Sequence, residues 1–399
     1  MDKRIGLYFH IPFCASRCGY CDFCSTAGRT DLMDRYQKAL LRHFTEFAPR
    51  LEDYLVDTVY FGGGTPSWYG AERLLEIFEA VKRRCRVLTD AEVTLEANPD
   101  SVSARALKQL RRAGFNRVSI GMQSANDEVL KAIGRRHRFE DVLDAVDAAR
   151  EAGFDNLSLD LIYGLPAQSR EDWADSLSRA VLMKPNHLSC YGLKLEEGTP
   201  LYRLRDSALI PDDDTQADMY LYTVEYLATR GYAQYEISNF AQRGRESRHN
   251  LKYWLLEDYA GFGASAASCI GNSRYTFTRD VEGYIASVTD GSPLLCESEE
   301  LSRHARAAEY VMLGLRTTRG ISAEDFDRYY RGAFPALEPL LRSYQKYGFA
   351  RQLGERWCFT PKGFLLSNSL IGELLDALAE KRYDLSAPWR REDYYSSLF

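Results

Sequence analysis

The chain is expected to fold as an α/β protein: a (β/α)6 partial TIM barrel followed by a smaller, mainly helical domain of winged-helix character. Three observations lead there. Short apolar runs alternate with amphipathic segments through the first two-thirds of the 399 residues. Six strands, each followed by a helical pattern, imply parallel pairing through right-handed crossovers. From about Ser302 the alternation is replaced by three helical patterns, two short strands around Leu353-Gly354-Glu355-Arg356, and a further helix.

Taken in order, the apolar runs predict strands over Gly6–Ile11, Thr58–Phe61, Glu92–Leu95, Arg117–Ile120, Leu157–Ile162 and His187–Tyr191. Between them, Tyr36, Leu40, Phe44 and Phe47 recur at near-helical spacing, as do Leu74, Ile77, Phe78 and Val81. Phe139, Val142, Leu143 and Val146 form a third stripe, and Ala217, Tyr220, Leu221, Val224 and Leu227 a later one. Such stripes predict core faces of amphipathic helices. In a barrel of this kind reactive groups are expected at the C-terminal strand ends. The alternation fades after Ala228. The expected units are therefore a barrel over 1–230, an extension over 231–295, a helical domain over 296–385 and an aromatic tail over 386–399. The extension carries a Gly- and Ser-rich stretch from Gly261 to Gly271 and a linker at Asp290-Gly291-Ser292-Pro293.

Composition bounds the function. With 45% hydrophobic and 27% charged residues the chain falls among soluble globular proteins. A net charge of −6 argues against a nucleic-acid substrate, which calls for a basic face. No apolar run approaches the length needed to span a bilayer, and Gly6 to Phe13 is too short for a signal peptide and carries His10. Nine cysteines without a disulfide-like framework fit a reducing compartment, so a cytoplasmic protein is expected.

The most informative motif is Cys14, Cys18 and Cys21, spaced C-x3-C-x2-C. A cubane iron–sulfur cluster has four irons, so three thiolates leave one iron open for chemistry. A redox pair or half of a zinc site is the plainer reading, but zinc wants a second ligand pair and no other close Cys/His cluster is present. Cys24 has three readings, a spare thiol, a fourth ligand in a resting state or an inert residue, and the last is preferred. Cys85, Cys190, Cys269, Cys296 and Cys358 are scattered and read as small buried hydrophobes.

One predicted strand later, Gly62-Gly63-Gly64-Thr65-Pro66 ends an apolar run, where glycines let a ligand approach the main chain. Glu96, Gln123, Arg135 and Asp160 then sit at or shortly after successive strand ends. Glu96-Ala97-Asn98-Pro99 reads equally as a capped turn and Arg135 as a solvated charge. Asp160 lies inside a predicted buried strand, where a carboxylate is costly unless paired or liganded. A guanidinium such as Arg135 suits a carboxylate ligand because its fork matches two oxygens.

With Tyr20 before the third cysteine, this pattern resembles the radical S-adenosylmethionine (SAM) superfamily. Further segments narrow the resemblance: Arg117-Val118-Ser119-Ile120-Gly121-Met122-Gln123-Ser124, Ile162-Tyr163-Gly164-Leu165-Pro166, Tyr235-Glu236-Ile237-Ser238-Asn239-Phe240-Ala241, His249-Asn250-x-x-Tyr253-Trp254 and Phe359-Thr360-Pro361-Lys362-Gly363. Together they resemble the oxygen-independent coproporphyrinogen III oxidase family over almost the whole chain, and within it the heme-chaperone branch. The oxidase branch has a sizeable N-terminal extension and a cysteine two residues after the third ligand. Here thirteen residues precede Cys14, and Phe23 stands at that place.

The resemblance implies a [4Fe-4S] cluster on Cys14, Cys18 and Cys21. It implies that Tyr8, Gly63 and Glu96 hold cluster-bound SAM, and that Tyr20, Gly64, Thr65, Gln123, Arg135 and Asp160 contact a second SAM or the surroundings of the first. It implies heme as cargo, heme-acceptor proteins of respiratory type and a low-potential electron donor as partners, with only peripheral contact to membrane-bound acceptors. A radical enzyme acting on coproporphyrinogen III or another tetrapyrrole is the alternative. His249 is the candidate heme contact, with Tyr253 and Trp254 offering a flat aromatic face. The histidine that family members usually carry after the paired glycines is Ala267 here.

Overall fold

Strands covered by helices on one face and closed around a lumen on the other must be buried almost throughout. The six expected strands meet that condition in the computed structural model, which describes residues 3–291, 294–330 and 334–380. They are β1 (Lys3–Ile11), β2 (Tyr54–Gly63), β3 (Arg86–Ala97), β4 (Arg117–Gln123), β5 (Leu157–Tyr163) and β6 (His187–Gly192). All five neighbouring pairs are parallel, in sequence order. The helices that follow them are α1 (Met33–Phe47), α2 (Ala71–Arg84), α3 (Ala104–Ala113), α4 (Phe139–Glu151), α5 (Arg170–Leu182) and α6 (Asp213–Thr229).

Side chains alternate between the two faces of each strand. The outer set, including Leu7, Phe9, Phe61, Leu95, Ile120, Leu159 and Leu188, joins the helices in one large core. Phe9 stacks on Phe61 and Phe262 and meets Phe44 of α1 edge-on. The inner set is polar: Thr58, Glu92, Thr94, Arg117, Ser119, Ser158, His187 and Ser189 are all buried in the lumen. The third helical stripe differs from expectation. Helix α4 buries Val142, Ala145, Val146 and Ala149, and leaves Leu143 exposed one residue round from that face.

The segment expected as a separate extension over 231–295 is continuous with the barrel sheet. Strand β7 (Ala233–Gln234) pairs with β8 (Asn239–Ala241), which runs antiparallel to β6. On the opposite edge β9 (Tyr259–Phe262) pairs parallel with β1, and β10 (Ala267–Ile270), β11 (Ser273–Phe277) and β12 (Leu295–Glu300) continue antiparallel. The result is one twelve-stranded sheet.

Between the two edges, helix α7 (Arg248–Trp254) enters the lumen. The Lys252 ammonium, 2% exposed, lies 2.8 Å from the Asp57 carboxylate and 3.0 Å from Glu257. Glu92 of β3 accepts from the backbone N–H groups of Arg248 and His249, at 3.2 and 3.0 Å. A Cβ on Gly6 of β1 would lie within 3.1 Å of Thr58, Lys252 and His249, so only glycine leaves room for α7.

After α8 (Val281–Asp290), the last region holds α9 (Arg303–Gly314), α10 (Ala323–Tyr330), α11 (Glu338–Lys346) and α12 (Ser367–Glu380). Strands β13 (Ile321–Ser322), β14 (Ala350–Leu353) and β15 (Arg356–Phe359) form a small antiparallel sheet in the order β13-β15-β14. Its core includes Val311, Leu315, Leu341, Trp357, Phe359 and Leu374, and Tyr220 of α6 belongs to it. Helix α6 thus serves two cores, since Met219 and Leu227 join the barrel's. The expected tail over 386–399, with 381–385, lies outside the described residues.

Removing one partner of a buried ion pair strands the other charge. Lys252→Met should destabilise the protein by about 3–5 kcal/mol in denaturant unfolding, and adding Asp57→Leu should restore most of that loss.

Candidate functional site

The loop after β1 carries the three thiols and is held down from three sides. Phe13 and Cys14 pair in parallel with Thr26 and Ala27. Gly19 donates to Ile133 O at 2.9 Å and accepts from Leu201 N at 2.9 Å, and the Cys21 N–H bonds Cys18 O at 3.2 Å. Cys14 is buried and Cys18 and Cys21 half-buried, all three as free thiols. Burial pushes the Cys14 thiol up, against a hydrogen bond from Thr65, and burial raises Cys21 as well. Cys24 turns elsewhere, its Sγ donating to Arg279 O at 3.0 Å.

Among the described residues no three His, Cys, Asp or Glu side chains close on one point as ligands of a single metal ion do. A cubane asks for something different, one thiolate on each of three separate irons. Three free thiols on one anchored loop, with the next cysteine bonded away, fit that donor set.

The triple glycine closes β2, with Gly62 and Gly63 its last residues and Gly64 just beyond. Each glycine is also required by its own surroundings. A Cβ on Gly62 would lie 2.8 Å from the Tyr60 ring, and one on Gly63 (φ +110°) 2.5 Å from His10. On Gly64 it would lie 2.8 Å from the backbone of Ile11 and Phe13. Gly64 and Thr65 donate to Ile11 O and Phe13 O, both at 2.8 Å, so the glycine loop and the thiol loop are one unit.

Two polar groups converge around this unit. On one side Glu96 accepts from Tyr60 Oη at 2.7 Å and from the Gly63 N–H at 3.1 Å. Burial raises its carboxyl to about 7, against those two hydrogen bonds. Tyr8 lies beside it, its hydroxyl 3.0 Å from His10 Nδ1 and its ring stacked on Tyr60. On the other side runs a chain from the thiol loop outward: Thr65 Oγ1 donates to Cys14 Sγ at 3.4 Å, Asn98 Nδ2 to Thr65 at 3.2 Å, and Arg135 Nη1 to Asn98 Oδ1 at 2.7 Å. The Arg135 guanidinium lies 5.9 Å from the Tyr20 ring centroid. Gln123 sits at a bulge of β4 with φ 62°, and its amide, Arg135 and Asn98 all crowd the space beside Gly121.

Asp160 lies deeper. It accepts from Ser119 Oγ at 3.0 and 3.1 Å and more weakly from Ser158, so neighbouring strands satisfy it without a ligand. Burial raises its carboxyl, against these hydroxyls and the Ser189 and Arg117 side chains.

His249 is not at a surface. It is 1% exposed, with Nδ1 2.8 Å from Thr58 Oγ1 and Nε2 2.9 Å from Tyr253 Oη. Both ring nitrogens are occupied, and burial followed by the Lys252 and Arg117 charges lowers it to about 3. In this arrangement it braces α7 and presents no nitrogen to a heme iron. Sequence reasoning passed over Tyr60 and His10, and read Asn98 only as part of a capped turn.

Two cavities flank the brace. One of about 360 Å3 lies on the side of the thiol loop, lined by Tyr8, His10, Asp22, Cys24, Ala267 and Arg279 among others. The second, of about 700 Å3, is a mainly apolar cleft lined by Tyr191, Ile237, Trp254, Leu256, Met312 and Leu313, with Arg274, Arg306 and Glu309 at its polar part. Tyr253 and Tyr259 line both, packed edge-on at 4.6 Å between centroids.

Residues 8–180 match the family model of the radical SAM superfamily, and residues 301–366 that of the HemN C-terminal domain. The chain is 35% identical to the heme chaperone HemW of Bacillus subtilis over 93% of this chain and 99% of that one. It is 33% identical to heme chaperone HemW of Escherichia coli over 92% and 97% of the two chains. Among solved structures, Escherichia coli coproporphyrinogen III oxidase HemN, described as a radical SAM enzyme, superposes with a TM-score of 0.83 at 25% identity, covering 94% of this chain and 91% of that one.

Glu96 sets a pH signature. Its carboxyl is raised in the folded protein, so the native state holds a proton the unfolded chain has lost. That contribution is present below the ordinary carboxyl range and disappears as pH rises through about 7. The lowered His249 acts oppositely, costing stability as pH falls below about 6.5. The stability difference between wild type and Glu96→Gln should therefore move toward the variant as pH goes from 5 to 8, measured by denaturant titration at each pH.

Proposed function

The chain belongs to the heme chaperone HemW family of radical SAM proteins, and from that premise we propose that it binds heme and delivers it to acceptor proteins of respiratory type. We further propose that Cys14, Cys18 and Cys21 hold a [4Fe-4S] cluster, with SAM beside it and a low-potential electron donor in the cytoplasm. When bound, the cluster supplies one iron without a protein ligand and an electron source next to SAM.

The residues divide the work. Glu96 and Tyr8 offer a buried carboxylate and phenol to the SAM amino group, and Arg135 offers a guanidinium fork to a carboxylate. Thr65 and Asn98 couple Arg135 to the Cys14 sulfur, so the anion-binding arm and the cluster loop move together. Gln123 and Tyr20 border that arm. Asp160 steadies the lumen through its serines.

One observation carries the chaperone reading: the Tyr253–Trp254 end of the family segment lines an apolar cleft of about 700 Å3. That size and lining suit a planar cofactor-sized ligand. The radical-enzyme reading is favoured by the completeness of the Glu96 and Arg135 arms, which a carrier alone does not need.

Incubating anaerobically reconstituted protein with reductant, SAM and coproporphyrinogen III separates the two. No protoporphyrinogen IX should form, and hemin added to the same protein should shift its Soret band; product formation would instead favour the enzyme. SAM affinity, measured calorimetrically on the reconstituted protein, should fall as pH drops below about 7 because Glu96 takes up a proton. Glu96→Gln should bind weakly at every pH.

A further inference from the structure

We propose that the cleft between β9–β11 and α9 seats the cargo heme with a propionate on the Arg274 guanidinium and the Met312 thioether as an axial ligand of the iron. This rests on the heme-cargo reading above and names ligands for it that differ from the histidine of the family segment.

The walls fit such a guest. An iron porphyrin with propionates is a flat apolar disc with an anionic edge, and helix α9 shows the same order along one face. Arg306, Glu309, Met312 and Leu313 line the cleft at helical spacing. The polar pair lies towards one end of the helix and the apolar pair one turn on. Across from them Tyr191, Tyr253, Trp254 and Tyr259 supply aromatic surface.

The anionic edge has a partner. Arg274 of β11 and Arg306 of α9 share the single buried carboxylate of Glu309. Arg274 also reaches Glu299 at 3.1 Å, and Glu299 is itself exposed. Arg274, 32% exposed at its side chain, is the member of the pair that an incoming carboxylate can take by displacing a solvated partner. Arg306 is held inward by Cys269 Sγ at 3.1 Å and by the Gly271 carbonyl.

Heme iron in proteins takes histidine, cysteine, methionine or tyrosine, and the cleft offers a short choice. His249 does not line it, and both its nitrogens are bonded. Tyrosine must ligate as phenolate. Burial raises all three cleft tyrosines, Tyr259 to about 12, and Tyr253 is also bonded to His249. Cys269 is buried, and its sulfur already accepts from Arg306. Met312 is half-buried, needs no proton loss, and stands on the apolar half of the wall. A thioether is also a weak ligand, which suits a guest that has to leave.

The test is hemin titration of the full-length protein, read by Soret absorbance, by electron paramagnetic resonance of the ferric iron and by quenching of tryptophan fluorescence. Arg274→Glu should weaken binding by about tenfold or more, with Arg274→Lys between it and wild type. Met312→Leu should keep binding while the ferric signal and the Soret band move away from those of wild type, and Met312→His should give a third, distinct signal and Soret position. The inference is overturned if Arg274→Glu binds hemin as wild type does, if Met312→Leu leaves the ferric signal and the Soret band unchanged, or if Cys269→Ser or His249→Ala changes them instead. Wild type that takes up no hemin would instead bring down the cargo reading on which this rests.

Discussion

The buried ion pair between Lys252 and Asp57 holds helix α7 inside the barrel, and both cavities are shaped by what that helix carries. An ammonium in a lumen is tolerable only with its counter-charge at contact distance, because desolvating two charges costs more than a loose pair returns. Here the pair is backed by Glu257, and by Glu92 accepting two backbone N–H groups from the start of the same helix. The helix is therefore fixed in rotation as well as depth. That rotation sends His249 to Thr58 and Tyr253, and leaves Tyr253 and Trp254 to face the cavities.

The lumen explains why such a helix can be accommodated. Strand β4 alternates Arg117, Ser119, Gly121 and Gln123 with Val118, Ile120 and Met122, and its polar face points inward. In register beside it lie Thr94 and Glu96 on one neighbour and Ser158 and Asp160 on the other. This polar interior answers the carboxylates that a purely apolar barrel could not hold. It also means that Asp160 is satisfied by hydroxyls, so its burial alone is not a sign of a ligand.

Much of this was legible in the sequence, and the limits have physical reasons. The six strands, the three-thiol loop and the terminal helical region follow from local patterns of period two, period 3.6 and cysteine spacing. Glu96 could be singled out because a strand end is a local landmark, and Arg135 because it follows one within a short segment. Gly63 and Gly64 were seen but the packing around them was not, since the atoms that exclude a Cβ belong to His10, Ile11 and Phe13, some fifty residues away. His249 was a candidate heme contact from its family segment alone, and its contact with Thr58, distant in sequence, could not be seen there. Of the cleft only the Tyr253–Trp254 face showed in the sequence: Tyr191, Arg274 and Met312 come from three other elements.

Tyr253 and Tyr259 form the wall common to the cavity beside the thiol loop and the apolar cleft. A wall two rings thick, packed edge-on, cannot move on one side alone: displacing Tyr253 breaks its bond to His249, and His249 stacks on Tyr60, which donates to Glu96. A ligand that changes the charge of Glu96 therefore acts on the same stacked column that backs the cleft. Coupling of this kind requires no long route, only that a contiguous set of packed rings have two arrangements that the two sites weigh differently. It gives a physical reason for the proposed SAM site to be kept beside the cleft proposed for the cargo.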